Sequence, residues 1–346
     1  MKMNRLRIAM IGFGNAGKAF ARILLGKRQE ILETMDYDVQ IVAIATATRG
    51  NLSHEQGIDL EKILRELQST GKFDRNGESY SSRTTAEIIE KTAYDVLMEI
   101  TPLEIFSGQP AIDHIRQAFG RKKHVITANK GPIAWAFREL KNEAEKQGVY
   151  FFYETTVMDG TPVFNLMDET LPMCRVSEVT GILNSTTNFI LEEISRGKTW
   201  DEAIAEGKRK GFVEADPSLD IEGWDAAAKT AALLNVFMEA DIKPTEIKRQ
   251  GIVHITREDI IDAKKRNRVI KLVCHGWRQK GHMIGEVAPR EIKKDHIFAG
   301  MRGTSSILSL TTDLMGSITI MADNPKIEQT GYGLFSDTLR LIRKLK

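Results

Sequence analysis

An acidic segment in the second half of the chain combines residue types that could perform acid–base chemistry. Residues 211–229 hold five carboxylates and one lysine. From Trp224 onward the pattern favours a helix, which places Asp225 and Lys229 one turn apart on one face, with the acid where the helix dipole stabilises it. An exposed ion pair of this kind stabilises a protein little. Because alanine and leucine surround it, Lys229 either extends along apolar surface towards water or takes part in proton transfer.

Two shorter polar strings follow predicted strands. Asn129 and Lys130 come directly after an apolar strand, and the carboxyl ends of parallel strands are where open α/β sheets bind ligands. Asn184 opens the string Asn-Ser-Thr-Thr-Asn between another strand and an apolar helical run. Its side chain could cap that helix or hold a polar ligand, and capping alone would explain it.

A glycine turn near the start of the chain suits a dinucleotide. Gly12 permits a tight turn, Gly14 lets backbone amides approach a pyrophosphate, and Gly17 lets helix and strand pack closely. The spacing alone is weak evidence, but strand, turn, helix and second strand follow each other here within about forty residues, as a βαβ unit requires. The cofactor's phosphates are therefore assigned to the turn formed by Gly12, Phe13, Gly14, Asn15, Ala16 and Gly17.

The end of the second predicted strand bears on which nicotinamide cofactor binds. NAD-selective proteins carry a carboxylate there to accept the ribose 2′-hydroxyl, whereas residues 44–49 read Ile-Ala-Thr-Ala-Thr-Arg. Arg49 could hold a 2′-phosphate through two parallel hydrogen bonds. The sequence thus favours NADP(H), with NAD(H) as the second choice, and a solvated loop arginine remains the alternative reading.

The elements that position these residues alternate in an α/β pattern. Residues 48–85 are polar and interrupted, with one amphipathic stretch at 60–67, and are interpreted as an insertion. Strands are expected at residues 7–11, 39–45, 95–100, 124–127 and 149–153, with helices at 18–34, 110–119 and 132–147. This order predicts a Rossmann-type doubly wound parallel sheet.

After Tyr153 short turns replace the crossover helices. Strands are expected at residues 176–183, 269–277, 282–289, 306–311 and 317–321, which predicts an α+β region with an open, mostly antiparallel sheet. We therefore divide the chain into a NAD(P)-binding domain, 1–153, and a substrate-binding, catalytic and dimerisation domain, 154–332. A closing helix, 333–346, is expected to dock back on the first domain.

Composition excludes several classes of function. The 346 residues suggest two domains, and 42% hydrophobic with 28% charged residues is ordinary for a globular protein. The 49 basic and 47 acidic residues lack the single-sign field of nucleic-acid or membrane binders, so a small-molecule partner is expected, with no nucleic acid and no membrane. Cys174 and Cys274 have no metal-ligand spacing and cannot form a disulfide framework, which favours a cytoplasmic protein.

Four segments of this chain, taken in their order, resemble homoserine dehydrogenases. They are the glycine turn, the strand ending in Asn-Lys, the Asn-x-Thr-Thr-Asn string and the long acidic motif. The resemblance covers nearly the whole chain, and the acidic motif is its most specific part. It implies the NAD(P)H-dependent reduction of L-aspartate 4-semialdehyde to L-homoserine, and the reverse reaction, on the path to threonine, methionine and isoleucine.

The resemblance also implies residue roles. Lys229 matches the proton donor, Asp225 its carboxylate partner, and Lys130 a lysine near nicotinamide and substrate. The implied substrate-binding residues are Glu214, Asp220, Asn184, Thr186 and Thr187. The implied additions to the cofactor site are Thr101 and Lys130. A monovalent cation, Na⁺ or K⁺, would be held mainly by backbone carbonyls of Glu154, Val157, Asp159 and Thr161.

The chain departs from the family in one turn. Where the family has a Gly-x-Gly-x-Gly turn before its last helix, residues 322–326 read Ala-Asp-Asn-Pro-Lys, with glycines only at Gly331 and Gly333. Side chains there would limit backbone approach to the cofactor or substrate. With neither an aspartate kinase nor an ACT domain attached, threonine feedback through such a domain is not expected.

Several questions stay open from the sequence. Burial and Lys130 would lower the pKa of Lys229, Asp225 would raise it, and the residues do not decide which prevails. Rival functions are a dehydrogenase of another small amino or hydroxy acid, a non-catalytic NADP-binding sensor, and an acylating dehydrogenase, which would need a reactive thiolate. A homodimer through the second sheet would cover its exposed edges.

Overall fold

The first of two β-sheets lies in the N-terminal half of the computed structural model, which describes residues 4–346. Its strands are β1 (Asn4–Ile11), β2 (Tyr37–Ala45), β3 (Asn51–Ser53), β4 (Tyr80–Ser81), β5 (Val96–Glu99), β6 (His124–Thr127) and β7 (Phe151–Phe152). They are ordered β4-β3-β2-β1-β5-β6-β7. Strands β2, β1, β5, β6 and β7 run parallel, which confirms the predicted Rossmann-type sheet. The predicted insertion supplies β3, which pairs antiparallel with both of its neighbours, and the edge strand β4.

Helices cover both faces of this sheet because successive side chains of its strands point to opposite sides. The helices are α1 (Asn15–Met35), α2 (Leu60–Thr70), α3 (Thr85–Lys91), α4 (Ala111–Gly120) and α5 (Lys130–Gln147). Ile8 and Met10 of β1 join the core under α1, whereas Ala9 and Ile11 join the core under α3 and α4. Helix α5 begins two residues earlier than predicted, so that Lys130 is its first residue.

The second sheet is mixed, with one parallel pair. Its strands are β8 (Val176–Ile182), β9 (Lys248–Arg249), β10 (Arg268–Gln279), β11 (His282–Lys293), β12 (Ser306–Thr312) and β13 (Gly316–Ala322). The order is β13-β12-β8-β10-β11-β9, and every pair is antiparallel except β11 with β9. The open antiparallel sheet is therefore confirmed in its main strands. The two-residue strand β9 was not predicted because it is too short to show an alternating pattern.

One face of the second sheet is covered by helices. The helices of this region are α6 (Phe164–Thr170), α7 (Ser185–Ser195), α8 (Trp200–Lys210), α9 (Ser218–Ile221), α10 (Trp224–Met238) and α11 (Arg257–Lys265). Leu234 of α10 packs directly on the sheet at Gly276, where an added Cβ would lie 2.4 Å from Leu234 Cδ2. The close approach explains the glycine in the middle of a long strand.

The last helix returns to the first sheet. Helix α12 (Ile327–Leu345) packs against α1 so closely that a Cβ on Gly331 would lie 2.6 Å from the Cβ of Ala19. The predicted start at Gly333 is wrong, because α12 begins at Ile327 and both Gly331 and Gly333 are helical residues at close contacts. Within residues 4–346, no helix has the length and apolar character needed to cross a membrane.

Candidate active site

The first turns of α5 and α10 bring two lysines to one carboxylate. Lys229 Nζ lies 3.3 Å from Asp225 Oδ2, and Lys130 Nζ lies 3.1 Å from Asp225 Oδ1. The three side chains are 16–19% exposed. Lys229 also donates a hydrogen bond of 2.6 Å to the carbonyl of Leu183. The structure thus joins Lys130, which belongs to the first sheet's helices, to the pair predicted from helical spacing; we call Lys130, Asp225 and Lys229 the lysine cluster.

Asn184 caps α7, as its sequence context allowed, and also contacts two acids of the site. Its Oδ1 caps α7 by accepting a hydrogen bond of 2.8 Å from the Thr187 amide. Its Nδ2 donates to Asp220 Oδ1 at 2.6 Å and to Asp225 Oδ2 at 2.9 Å. One amide therefore ties a helix N-terminus to two acidic side chains of the site.

Charge, more than burial, sets the protonation of the lysine cluster. Burial opposes ionisation of Asp225, but the ammonium groups of Lys130 and Lys229 and the Asn184 amide outweigh it and hold its pKa well below the usual value. Burial alone would lower the pKa of Lys229, but the charges of Asp225, Asp159 and Asp220 raise it above its ordinary value. This answers the question that the sequence left open: the carboxylates prevail.

Asp220 behaves differently from its neighbour. Burial and the charge of Asp225 raise the pKa of Asp220, while hydrogen bonds from Asn184 and Thr186 oppose the rise. A positively charged group placed beside Asp220 would stabilise its ionised form.

The other predicted substrate-binding residues form no hydrogen bond or ion pair with the lysine cluster. Thr186 Oγ1 donates to the Phe212 carbonyl at 3.3 Å, and Thr187 is buried with its hydroxyl on the Asn184 carbonyl at 3.1 Å. Glu214 is exposed after α8 and has no hydrogen bond or ion pair within residues 4–346. The structure therefore does not bring Glu214 into the lysine cluster, although Phe212 nearby lines the same cleft as Lys229.

The glycine turn lies very close to the neighbouring backbone and leaves room for a ligand at the start of α1. Gly12 has a φ of +99°, and a Cβ there would lie 2.5 Å from the Ile100 carbonyl oxygen. At the N-cap of α1, Gly14 has open space above it, and no side chain caps the helix. The first amides of α1 are therefore available to an anion such as a pyrophosphate.

Cations gather beside this turn. Arg49 Nη1 donates to the carbonyl of Phe13, which brings the strand-end arginine onto the glycine turn. Burial and the charges of Arg49 and Arg22 lower the pKa of Lys18, so the three cations lie near one another. Sequence reasoning missed Lys18 and Arg22, although their spacing of four residues in the first turns of α1 was a usable signal.

Thr101 takes part in a strand-end network. Its hydroxyl donates to Glu99 Oε1 at 2.5 Å, and its carbonyl accepts from Asn129 Nδ2 at 3.2 Å. Asn129 also caps α5 by accepting from the Gly131 amide at 2.9 Å. The fully buried Glu99, the last residue of β5, was missed because an acid at the end of a strand is usually exposed.

The loop matched to a monovalent cation offers backbone oxygens. The Glu154 carboxylate is occupied, since it accepts from the amides of Val163 and Asn165 at 2.6 Å each. The carbonyls of Val157, Asp159 and Thr161 accept no hydrogen bond from any residue between 4 and 346. Nor does that part of the chain contain a cluster of three or more His, Cys, Asp or Glu side chains suited to a metal ion.

A buried hydroxyl and a free set of carbonyls fit a weakly held monovalent ion. Thr155 Oγ1 is buried in the same loop without a hydrogen-bond partner among the described residues. Asp159 has a φ of +53° and accepts from Thr330 Oγ1 at 2.9 Å, which fixes the loop against α12.

The cleft beside Lys229 lies between the two sheets. It has a volume of about 450 Å³ and is lined by Asn15 of the glycine turn, by Lys229, and by Lys326 and Thr330. The segment 322–326, where the resemblance implied a glycine-rich turn, therefore reaches the cleft through Pro325 and Lys326.

Neither cysteine suits a covalent mechanism. Burial raises the pKa of the Cys274 thiol to about 11, and its Sγ faces the Ala226 carbonyl at 3.8 Å. Cys174 precedes β8 and does not line the cleft beside Lys229. An acylating dehydrogenase needs a cysteine thiolate at its active site, because the thiolate is the reactive form. The structure offers no such group in the cleft, which argues against this rival function.

Comparison with known proteins agrees with this geometry. Two family models match, one described as homoserine dehydrogenase over residues 162–339 and one as its NAD-binding domain over residues 12–154. A homoserine dehydrogenase of Methanocaldococcus jannaschii is 34% identical over 98% of this chain and 99% of its own. An NAD(+)-dependent homoserine dehydrogenase of Pseudomonas canavaninivorans is 30% identical over 98% of this chain and 97% of its own.

Comparison with a solved structure agrees with these sequence matches. The homoserine dehydrogenase of S. aureus superposes with a TM-score of 0.78 at 29% identity, covering 99% of this chain and 77% of that one. A nicotinamide-binding domain is thereby shown, and the chain belongs to the homoserine dehydrogenase family.

Proposed function

We propose that this protein interconverts L-homoserine and L-aspartate 4-semialdehyde with a nicotinamide cofactor. The observation that carries the proposal is one carboxylate, Asp225, held between Lys130 and Lys229 beside a cleft that the glycine turn also reaches. When bound, the nicotinamide supplies the hydride for reduction or accepts it in oxidation.

Lys229 is the proton donor of the reduction. Its raised pKa keeps it an ammonium at neutral pH, and Asp225 and the Leu183 carbonyl fix the direction of two of its three protons. The remaining proton is free for the oxygen of the aldehyde, on which negative charge grows as the carbonyl is reduced. Lys130 adds a second positive charge on the other side of Asp225.

Asp220 and Glu214 are the groups that recognise the substrate's ammonium. Asp220 lies on the same Asn184 amide as Asp225, and its raised pKa would fall when a cation binds beside it. Glu214 is exposed without a partner, so it is free to pair with a substrate at the rim that Phe212 lines. Thr186 and Asn184 orient Asp220, and Thr187 holds Asn184 in place through its amide and its hydroxyl.

The cofactor is held by residues 12–17 and Thr101, with NADP(H) preferred over NAD(H). The preference follows from Arg49, Lys18 and Arg22, whose combined charge suits a 2′-phosphate better than a hydroxyl. The relative from Pseudomonas canavaninivorans is named NAD(+)-dependent, so family membership alone does not fix the choice.

Two further parts of the proposal concern assembly and ions. The face of the second sheet opposite the helices carries a groove of about 700 Å³ whose lining includes polar residues of β8 and β12, and a homodimer through this face would cover it. A Na⁺ or K⁺ ion would be held mainly by the backbone carbonyls of residues Glu154, Val157, Asp159 and Thr161, of which the last three are free of hydrogen bonds within residues 4–346. The cytoplasmic location stays a prediction.

The decisive experiment follows reduced nicotinamide by absorbance with L-homoserine and NADP, then with NAD. Lys229→Ala should lower kcat roughly a thousandfold, within the range for a lost general acid, while NADPH binding persists. Lys146→Ala, on the exposed last turn of α5, is the matched control and should keep wild-type turnover.

Near-normal turnover of Lys229→Ala would exclude this residue as the proton donor. Absence of turnover in the wild type despite NADPH binding would favour the sensor or a different small amino or hydroxy acid. Similar kcat/KM values with NADP and NAD would contradict the role given to the cations at the glycine turn.

A further inference from the structure

A second cavity lies apart from the cleft of the lysine cluster. It measures about 530 Å³ and is bounded by the end of α7, by α11, by the start of β10 and by the segment after β11. It shares no lining residue with the cleft beside Lys229. Its volume falls in the range of small-molecule sites, roughly 300 to 1,000 Å³.

The charge of this cavity is strongly one-sided. Six basic side chains line it, namely Arg196, Lys264, Arg268, Lys271, Lys294 and Arg302. The single acid is Glu192, which is already engaged by Arg196 at 2.6 Å and by the Gly303 amide at 2.7 Å. We call this space the basic cavity.

Most of these cations lack a counter-charge. Within residues 4–346, Lys264, Lys271, Lys294 and Arg302 form no ion pair. Arg268 reaches only Glu291, at 3.8 Å. Like charges gathered around a concave space raise the local concentration of anions, and low-dielectric walls strengthen the effect.

Lys271 is the least accessible of the six. It is 5% exposed, and its Nζ donates to Asn188 Oδ1 at 2.6 Å and to the Met301 carbonyl, both uncharged acceptors. Burial lowers its pKa to about 8, the charge of Arg302 adds to that effect, and Glu192 opposes it. A buried ammonium without a carboxylate is costly, and a bound anion would supply the missing charge.

The basic cavity is also connected to the cleft. Asn188, which accepts from Lys271, lies on α7, the helix whose cap Asn184 contacts Asp220 and Asp225. On the other side, the Lys271 contact at Met301 precedes Thr304, a residue that lines the cleft.

We propose that the basic cavity binds a small multivalent anion carrying phosphate or carboxylate groups, and that its occupancy alters homoserine binding through α7 and the segment 301–304. The second half of this proposal rests on the proposed function; the first half does not. The cavity is larger than one phosphate requires, so two anionic groups on one ligand fit its charge and its volume.

The test uses calorimetric titration of the whole protein with inorganic pyrophosphate and, separately, with citrate. Saturating NADPH is present so that the glycine turn is occupied, and sodium chloride keeps the ionic strength constant. One-to-one binding is expected. Lys294→Gln and Arg302→Gln should each weaken it about tenfold, as loss of a charge-assisted hydrogen bond does.

The chain offers a matched control one residue away. Lys293 is exposed and does not line the basic cavity, so Lys293→Gln removes the same charge and should leave the affinity within twofold. Equal losses in Lys293→Gln and Lys294→Gln, or no saturable heat with either probe, would overturn the site. Tighter binding of one probe identifies phosphate or carboxylate as the preferred group.

The second half of the proposal, an effect of the bound anion on homoserine binding, is tested by measuring the KM for homoserine with and without the probe. A shift of at least threefold that disappears in Lys294→Gln supports it. An unchanged KM at saturating probe overturns the coupling and leaves the binding site intact. Because calorimetry needs no turnover, failure of the proposed reaction and failure of the site remain distinguishable.

Discussion

Two buried carboxylates in this protein have pKa values shifted in opposite directions. Asp225, between Lys130 and Lys229, has a pKa well below its ordinary value. Asp337 of α12 is fully buried, and burial with the nearby Glu154 raises its pKa to about 7, although the Asn165 amide and the Glu154 backbone amide oppose the rise. Burial acts in the same direction on both, so the difference comes from ammonium groups about 3 Å away.

The two groups also differ in what they hold. Asp337 accepts from the Glu154 amide at 3.0 Å and from Asn165 Nδ2 at 3.1 Å, which fastens α12 to the start of α6. Its partners are backbone and amide groups without charge, suited to fixing the chain. The partners of Asp225 are cations that a substrate can also contact, suited to chemistry.

The largest expected effect comes from removing the charge of Asp225. Asp225→Asn leaves two mostly buried ammonium groups without their carboxylate, and breaking a buried pair in this way costs about 3 to 5 kcal/mol. We expect kcat to fall roughly a thousandfold, because Lys229 loses both its orientation and the charge that keeps it protonated. Steady-state kinetics and urea unfolding measure the two effects.

Asp216→Asn is the control, since Asp216 is an exposed carboxylate of the same acidic segment. Wild-type stability in Asp225→Asn would show that the lysines do not depend on this carboxylate.

The second prediction concerns pH and Asp337. Its folded pKa of about 7 lies above the ordinary value of 3.8, so the folded state binds this proton more tightly than the unfolded state. The resulting stabilisation is complete below pH 4 and is lost as the pH rises to 7. At about 1.4 kcal/mol per pKa unit, it amounts to roughly 4 kcal/mol.

Asp337→Asn should abolish that part of the pH dependence. Asparagine keeps an oxygen for one of the two donors and presents its NH₂ group to the other, which costs some stability, but this cost does not change with pH. The measurement is urea unfolding of both proteins between pH 4 and 7. Parallel curves for wild type and variant would contradict the raised pKa.

Substitution of Asn184 should have a smaller effect, and two variants separate its cap on α7 from its contacts with Asp220 and Asp225. Asn184→Ser keeps an N-cap oxygen for α7 but is too short to reach Asp220 and Asp225, whereas Asn184→Ala removes both contacts. Both variants should raise the KM for homoserine about tenfold, as loss of hydrogen bonds to charged groups does. Both variants lose the stability that the contacts with the acids provide, and the alanine variant should lose about 1 kcal/mol more unfolding free energy than the serine variant because it also loses the cap. Identical stability of the two would remove the capping role.

The smallest effect is expected at Arg340, a cation near the second carboxylate group. It donates to Asn165 Oδ1 at 2.5 Å and pairs with Asp168 and Glu169 at 3.1 and 2.8 Å. Arg340→Gln should cost about 1 kcal/mol, because the two acids are half exposed. It should also move the pH dependence of stability slightly upward, since one charge that favours ionised Asp337 is lost. Kinetics at neutral pH should not change.

Local patterns were enough to predict much of the fold and part of the site. The glycine turn and the Asp225–Lys229 pair depend on residues a few positions apart, and both lie as predicted. Asn184 contacts acids 36 and 41 residues away, so its bridging role depends on how α7 and α10 pack. The direction of the Lys229 pKa likewise depends on Asp159, a residue distant in sequence.

The contact between the first turns of α5 and α10 has a consequence for motion. Along the same two helices, Asn235 Nδ2 donates to the carbonyls of Ile133 and Ala134 at 3.2 and 3.3 Å, which joins the helices at a second point. We therefore expect Lys130 and Asp225 to stay together when substrate binds. Ligand entry and product exit fall to the rim, where Phe212 and Lys326 lie on loops, and amide hydrogen exchange should be fast there and slow in the paired helices.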